Sequence, residues 1–176
     1  TLPDRFIVKT ALGCGSHVIC RDRPAFDTEA AAQTLQRTWS SRDYLLYSEL
    51  QYRPARYAPQ QALCERLLDT EGGAAPDDFK LYCYHGEPRY ILYCFDRGAD
   101  GHAKFMMFDT DWNYLPRLLK DRYEPVPARP SSLGRMLEIA RTLSAGFPFV
   151  RVDLYEEHGK PIFGELTFTP SGALDD

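Results

Sequence analysis

The sequence has 176 residues, of which 44% are hydrophobic and 26% charged, a composition typical of one or two globular domains. Its 21 Lys and Arg residues against 25 Asp and Glu give a formal net charge of -4, which disfavours nonspecific binding to nucleic acid. No apolar run approaches the roughly 20 residues that span a bilayer, and no charged-then-apolar leader follows Thr1, so we expect neither a membrane span nor a signal peptide.

The cysteine pattern predicts free thiols rather than a disulfide framework. The number of cysteines is odd and no CxxC motif is present. Free thiols are typical of a reducing compartment, so we expect a cytoplasmic protein. The four histidines are scattered along the chain, which argues against a structural zinc site. The cysteines are Cys14, Cys20, Cys64, Cys83 and Cys94.

The first 68 residues predict short strands, a glycine-rich turn and one helix. Asp27 precedes an alanine-rich segment, and its side chain can cap a helix over 28–39. Apolar runs predict strands, and the tyrosine- and proline-containing stretch predicts irregular chain. The strands are expected at 5–9, 18–20 and 62–68, the glycine-rich turn at 12–17 and the irregular stretch at 43–60.

The rest of the chain predicts a sheet followed by one strongly amphipathic helix. Alternating residues indicate strands at 79–84, 89–95 and 104–109, and the first two flank a turn at 85–88. After a proline-rich linker, Ser131 or Ser132 is expected to cap a helix that Gly146 ends. The apolar face of this helix contains Leu133, Met136, Leu137, Ala140 and Leu143. Strands punctuated by helices in this order predict an α+β fold.

A second hairpin is predicted near the end of the chain, from strands at 149–155 and 162–169. A period of two puts Arg151 and Asp153 on one face of the first strand, and Glu165 and Thr167 on one face of the second. If Asp153 pairs with Glu165, then Arg151 pairs with Thr167. This register requires an odd-length loop or a bulge around Gly159. A three-residue hairpin loop with Gly159 in the left-handed conformation would supply it.

Two carboxylates opposite each other in a sheet repel, so folding alone gives no reason to pair Asp153 with Glu165. A divalent cation between them would reverse the sign of the interaction. Mg²⁺ takes oxygen ligands, usually one or two carboxylates together with phosphate oxygens, an arrangement suited to phosphoryl transfer. The alternative is that both carboxylates are solvated charges on an ordinary hairpin.

Two lysines are candidate phosphate ligands. Lys9 ends a strand beside the turn that contains Gly13 and Gly15, and such a turn can bind an anion through its backbone N–H groups. The spacing matches neither the P-loop nor the Rossmann motif, and a spacing of this kind is more often an ordinary tight turn, here beside a solvated lysine. Lys80 alternates with Tyr82 on its predicted strand, and its alternative is an outward-facing charge.

Five stretches of the chain resemble the TupA-like branch of the ATP-grasp superfamily, which is linked to teichuronopeptide and cell-surface polysaccharide biosynthesis. The stretches are Leu2–Lys9, Asp78–Gly86, Asp109–Asn113, Phe147–Tyr155 and Phe163–Pro170. Of these, the last two are the most specific in combination. The resemblance implies an ATP-grasp fold, in which two α+β subdomains with antiparallel sheets clasp ATP; the subdomains would be 1–68 and 69–176.

The resemblance also implies roles for individual residues. Lys9 would hold the α-phosphate, the turn from Gly13 through Gly15 to Ser16 would be the flap over the phosphates, and Glu65 and Leu68 would lie at the adenine hinge. Lys80 would face the phosphates or the substrate, and Arg151 would stabilise the transferring phosphoryl group. Asp153 and Glu165 would ligate Mg²⁺, and Thr167 stands where many relatives carry a metal-binding asparagine. The flap reads Leu12-Gly13-Cys14-Gly15 where this branch usually carries a sequence similar to His-Gly-Ser-Gly.

The expected function is that of an ATP- and Mg²⁺-dependent carboxylate–amine ligase, which forms an amide through an acylphosphate. Its partners would be a carboxylate substrate and an amine acceptor, with no nucleic acid. Two alternatives remain open. One is a phosphotransferase that acts on a sugar hydroxyl, and the other is a noncatalytic nucleotide-binding module.

Overall fold

The computed structural model of the chain describes residues 2–11, 17–41, 61–70, 75–98 and 102–170. These residues form strands β1 (Phe6–Thr10), β2 (His17–Cys20), β3 (Ala62–Arg66), β4 (Asp78–Tyr84), β5 (Glu87–Phe95), β6 (Lys104–Asp109), β7 (Phe149–Glu157) and β8 (Lys160–Thr167), and helices α1 (Thr28–Ser41) and α2 (Leu133–Ser144). The chain divides into two compact units, Thr1–Leu67 with Thr169–Asp176 and Leu68–Phe168. The predicted ATP-grasp subdomains remain a prediction.

The first unit is a three-stranded antiparallel sheet, in the order β2-β1-β3, with α1 packed against β1 and β2. Its buried apolar side chains include Phe6 and Cys20 from the sheet and Leu35 from the helix. The backbone N–H of Ala30 donates to Asp27 Oδ1 at 2.9 Å, which confirms the predicted helix cap. The helix runs two residues beyond its predicted end.

The second unit is a five-stranded antiparallel sheet in the order β6-β5-β4-β7-β8. Alternate residues of its central strands, such as Leu81 and Val152, are completely buried with Met136 and Ala140 of α2 in one hydrophobic core. Because side chains alternate across a sheet, the neighbouring residues of β4 and β7 lie on the opposite face. Two antiparallel sheets with segregated helices confirm the predicted α+β class.

The β4–β5 and β7–β8 hairpins close through two-residue turns. His85 and Gly86 have φ angles of 50° and 82°, and His158 and Gly159 have 51° and 72°. Positive φ at both central residues is the signature of a type I′ turn, whose twist matches that of the flanking strands. The predicted turn at 85–88 is therefore two residues too long, and the predicted three-residue loop around Gly159 is wrong.

The bulge in the β7–β8 hairpin lies at Gly164. Leu154 pairs with Phe163 and Asp153 pairs with Glu165, so Gly164 is the extra residue of β8. A Cβ atom at Gly164 would lie 3.0 Å from the carbonyl oxygen of Asp153, closer than ordinary van der Waals contact. The predicted bulge near Gly159 was thus misplaced, because a close approach between backbones, and not the turn, fixes its position.

The predicted side-chain cap of α2 is also wrong. Ser132 occupies the N-cap position with φ −91° and ψ 5°, outside the extended conformation that usually aims a cap at the helix, and its side chain makes no cap hydrogen bond. Ser131 Oγ instead donates to Glu156 Oε1 at 2.8 Å. At the other end, Gly146 follows the C-cap with a φ of 85°, which confirms the predicted helix stop.

Two composition-based expectations bear on the described ranges. Within them, no helix is both long enough and apolar enough to cross a membrane. Every cysteine that the structure describes is a free thiol, as predicted, namely Cys20, Cys64, Cys83 and Cys94. Cys14 lies outside the described residues, as does the whole stretch 43–60 predicted to be irregular.

Candidate active site

The face of the second sheet opposite α2 carries a cluster of charged and polar side chains. Asp78 and Lys80 come from β4, Arg151 and Asp153 from β7, and Glu165 and Thr167 from β8. Lys80 is the cross-strand partner of Asp153, which in turn pairs with Glu165. Arg151 pairs with Thr167, so the register predicted for the hairpin is confirmed. We call these six residues the charged cluster.

Asp153 lies at the centre of the charged cluster, and its residue is 2% exposed. Lys80 Nζ donates to Asp153 Oδ2 at 2.7 Å. Arg151 donates from Nε to Oδ1 at 2.7 Å and from Nη2 to Oδ2 at 2.8 Å. Two cations thus compensate the buried carboxylate of Asp153. Its attraction to them, and not the predicted repulsion from Glu165, is the dominant interaction of Asp153.

Thr167 connects Arg151 to Glu165 at the outer side of the cluster. Arg151 Nη2 donates to Thr167 Oγ1 at 3.1 Å, and the Thr167 hydroxyl donates to Glu165 Oε1 at 3.0 Å. Thr167 is 1% exposed, whereas the Glu165 side chain is 54% exposed. Glu165 is therefore the solvent-accessible carboxylate of the cluster, and its direct distance to Arg151 Nη2 is 3.6 Å.

Asp78 is a member of the cluster that the sequence analysis missed as a site residue. Its Oδ2 lies 2.5 Å from Lys80 Nζ, and its side chain is 5% exposed. Its Oδ1 is buried with no hydrogen-bond partner among the described residues. The signal that could have found Asp78 is the period of two, because Asp78 and Lys80 are alternate residues of the same strand.

The cluster keeps its cations charged. Burial lowers the pKa of the Lys80 ammonium, but Asp153 and Asp78 more than offset it, so this pKa is raised above its usual value. Arg151 behaves in the same way, because its hydrogen bonds to Asp153 outweigh burial and raise its pKa. Burial raises the pKa of the Asp78 carboxyl, although the neighbouring Lys80 ammonium acts in the opposite direction. Burial also raises the pKa of Tyr155, on β7, to about 12.

The donor atoms of the cluster fit Mg²⁺ when phosphate completes the ligand set. Asp153 and Glu165 offer carboxylate oxygens on adjacent strands and Thr167 a hydroxyl, all hard donors of the type that Mg²⁺ prefers. A carboxylate has about four acceptor positions, so Asp153 retains capacity beside its hydrogen bonds. In the described part of the chain, no group of three or more His, Cys, Asp or Glu residues is placed to hold a metal ion.

The remaining predicted site residues belong elsewhere. Lys9 Nζ lies 2.8 Å from Glu65 Oε2, and this ion pair joins β1 to β3 within the first unit. Both side chains are partly exposed, at 33% and 49%. Leu68 lies two residues beyond β3 and is half-buried. The predicted flap residues Gly13, Gly15 and Ser16 lie outside the described residues.

The stretch Asp109–Asn113, which contributed to the family resemblance, forms a tight turn after β6. Asp109 Oδ1 accepts hydrogen bonds from the backbone N–H groups of Asp111 and Asn113, at 3.0 and 2.8 Å. The Asn113 side-chain amide donates to Oδ2 at 2.8 Å. Burial raises the pKa of Asp109, but these hydrogen bonds more than offset it and lower the pKa below its usual value. The Asp109 carboxylate therefore organises the turn.

Comparisons with known proteins identify the family. The family model described as TupA-like ATPgrasp matches residues 1–176. A D-alanine–D-alanine ligase from Bacillus anthracis has 12% identity and a TM-score of 0.48, over 96% of this chain and 44% of that one. The ATP-grasp ligase PsnB, complexed with minimal precursor, Mg and ADP, has 12% identity and a TM-score of 0.45, over 98% and 43%.

The chain spans less than half the length of these two solved structures. Among curated proteins, none matches the sequence. The family model, by contrast, covers the sequence from its first residue to its last. The chain therefore belongs to the TupA-like ATP-grasp family.

Proposed function

We propose that this chain is the ATP-binding part of a Mg²⁺-dependent carboxylate–amine ligase. The carboxylate would be phosphorylated to an acylphosphate, and attack by an amine would then form an amide and release phosphate. Family membership supports the use of ATP. The observation that carries the proposal is the charged cluster, in which Lys80, Arg151, Asp153 and Glu165 meet on one face of three adjacent strands.

In this proposal Asp153, Glu165 and Thr167 hold Mg²⁺ together with phosphate oxygens. When bound, Mg²⁺ supplies charge neutralisation at the transferring phosphoryl group. The two carboxylates are held differently. Asp153 is fixed in a buried position by Arg151 and Lys80, whereas Glu165 is exposed at the cluster's outer side. A fixed ligand, Asp153, beside an accessible one, Glu165, suits a Mg²⁺ ion that arrives bound to the nucleotide.

Lys80 and Arg151 would provide positive charge where negative charge develops during phosphoryl transfer. Their raised pKa values keep both side chains protonated at neutral pH. Arg151 is held by two hydrogen bonds to one carboxylate, which fixes the orientation of its guanidinium group. Preorganised charge of this kind costs no reorganisation at the moment of reaction.

The nucleotide-binding residues would come mainly from the first unit, and Leu68 from the second. Lys9 is proposed to bind the α-phosphate, with the flap from Gly13 through Gly15 to Ser16 over the phosphates. Glu65 and Leu68 are proposed to border the adenine. Because Lys9 and Glu65 form an ion pair at 2.8 Å, a nucleotide phosphate would compete with Glu65 for the Lys9 ammonium. This exposed pair is weak, so the exchange costs little.

The proposed reactants are a carboxylate substrate and an amine acceptor, in the biosynthesis of a cell-surface polysaccharide or a peptide metabolite. We further propose a cytoplasmic location, where ATP is available and free thiols such as Cys64 stay reduced. Both parts of this proposal rest on the family assignment and on the residue chemistry described above.

Hydroxylamine trapping tests the reaction class. The protein is incubated with ATP, Mg²⁺, a panel of amino acids and other carboxylates, and hydroxylamine as a general amine, and in a parallel reaction with ATP, Mg²⁺ and a panel of sugars. A ligase yields ADP, inorganic phosphate and a hydroxamate, in amounts that depend on the carboxylate. A phosphotransferase yields ADP and a phosphorylated sugar without phosphate release, and a noncatalytic module binds ATP without turnover; either result would overturn the proposal.

A further inference from the structure

Asp78 is a buried carboxylate whose placement folding does not explain. Its side chain is 5% exposed and it has one partner in the cluster, Lys80, at 2.5 Å. The second carboxylate oxygen, Oδ1, is buried and has no hydrogen-bond partner among the described residues. Leaving a buried polar atom unsatisfied typically costs about 1–3 kcal/mol, more for a charged group. A cost of this size on a site face is typical of a functional constraint.

Lys80 lies between two carboxylates that differ in their other partners. Its ammonium is 2.5 Å from Asp78 Oδ2 and 2.7 Å from Asp153 Oδ2. Asp153 also accepts two hydrogen bonds from Arg151. Without Asp78, the Lys80 ammonium would have Asp153 as its one carboxylate partner among the described residues. The geometry therefore shows one ammonium shared by two carboxylates, which leaves one of its three N–H donors for another acceptor.

We propose that Asp78 is a positioning residue: together with Asp153 it holds the Lys80 ammonium in one orientation, so that the third N–H donor is available to nucleotide phosphate. The inference rests on the proposed function, since it assumes that phosphates bind at this cluster. Asp78 itself would touch neither phosphate nor metal. Its effect would pass through Lys80, and that dependence is what an experiment can isolate.

The sign of the effect on ADP affinity separates positioning from simple electrostatics. Binding of ADP is measured by calorimetry in EDTA, for wild type and Asp78→Asn. A simple charge effect predicts tighter binding by Asp78→Asn, because removing a carboxylate near the phosphates reduces repulsion. Positioning predicts weaker binding, by at least about threefold, because the Lys80 ammonium is no longer held in one orientation by two carboxylates.

A double-mutant cycle tests whether Asp78 acts through Lys80. In the Lys80→Met background, adding Asp78→Asn should leave the ADP affinity within twofold of that of Lys80→Met alone. The double variant carries neither charge of the Asp78–Lys80 pair. Glu87→Gln is the matched control, since Glu87 is an exposed carboxylate paired with Arg141 outside the cluster, and it should bind ADP like wild type. Thermal unfolding checks the fold of each variant, and Asp78→Ser serves as a second charge-removing variant if Asp78→Asn does not fold.

Three outcomes would count against the inference. Unchanged or tighter ADP binding by Asp78→Asn would overturn the positioning role. An equal loss of affinity with and without Lys80 would show that Asp78 acts directly. If the wild-type protein binds ADP neither in EDTA nor with Mn²⁺, the proposed function fails and the positioning role fails with it. The titration of the wild-type protein separates this result from the first two outcomes, in which the wild type binds ADP.

Discussion

Arg151 and Asp153, two residues apart on β7, form a forked ion pair. The guanidinium donates from Nε to Oδ1 at 2.7 Å and from Nη2 to Oδ2 at 2.8 Å. The two side chains are 11% and 3% exposed, so the pair is largely shielded from solvent. Such bidentate, buried pairs are strong and oriented, and losing one member leaves the other charge uncompensated. Asp153 is consequently a structural residue as well as a proposed metal ligand.

Asp153→Asn should destabilise the protein. The substitution leaves the buried cations Lys80 and Arg151 without their shared carboxylate, and breaking a buried pair typically costs about 3–5 kcal/mol. Guanidinium denaturation followed by circular dichroism measures the loss. If only repulsion with Glu165 mattered, the variant would be as stable as wild type or more so, and that result would contradict the assignment of Asp153 as the centre of the cluster.

Glu165→Gln should separate stability from metal dependence. The Glu165 side chain is 54% exposed and is 3.6 Å from Arg151 Nη2, so its charge contributes little to folding and stability should change by about 0.5 kcal/mol or less. Mg²⁺-dependent turnover should fall by about 100-fold or more, because a ligand that stabilises transition-state charge is lost.

Glu87→Gln is the matched control for this variant, because Glu87 is 52% exposed and also faces an arginine, Arg141, at 3.1 Å. Its Mg²⁺ titration curve should coincide with that of wild type. Equal Mg²⁺ dependence in Glu165→Gln and Glu87→Gln would remove Glu165 from the proposed metal site.

Gly164→Ala should destabilise the β7–β8 hairpin. The new Cβ would lie 3.0 Å from both the Asp153 carbonyl oxygen and Tyr155 Cε2, and relieving that overlap would cost about 1–3 kcal/mol. Gly134→Ala in α2 is the control, since a Cβ there meets nothing within 4 Å and alanine favours a helix by about 0.5–1 kcal/mol. Thermal unfolding should therefore shift in opposite directions in the two variants; a shift in the same direction would argue against the bulge.

Asp109→Asn should reveal a pH-dependent contribution to stability. Hydrogen bonds from Asp111 and Asn113 hold the Asp109 pKa below its ordinary value of 3.8, so the folded state binds fewer protons than the unfolded state in this range. The contribution is fully present above the ordinary pKa. It is lost as the pH falls through the lowered pKa.

Unfolding free energies of wild type and Asp109→Asn from pH 3 to pH 7 test this expectation. The difference between the two proteins should be constant at neutral pH and should shrink below about pH 4. A difference that does not vary with pH would mean that the Asp109 charge has no part in organising the turn.

Much of the architecture could be predicted from local pattern. The period of two identified the strands that became β4 to β8, and the apolar spacing of Leu133, Met136 and Ala140 identified α2. The turns were harder, because the two-residue form depends on the φ angles of His85 and His158, non-glycine residues that adopt positive values. Histidine is enriched at positive φ together with asparagine and aspartate, but such conformations are uncommon outside glycine, so the sequence favours them only weakly.

The sequence by itself determined the family and the face on which each candidate residue lies, since both follow from motifs and from alternation along single strands. Only the tertiary structure decided which strands are neighbours. Lys80 meets Asp153 because β4 pairs with β7 across 73 positions of sequence, and Asp78 joins them because it precedes Lys80 on the same face. Periodicity says which side of a sheet a residue occupies, whereas the partner across the sheet is fixed by burial of the whole core and by the bulge at Gly164.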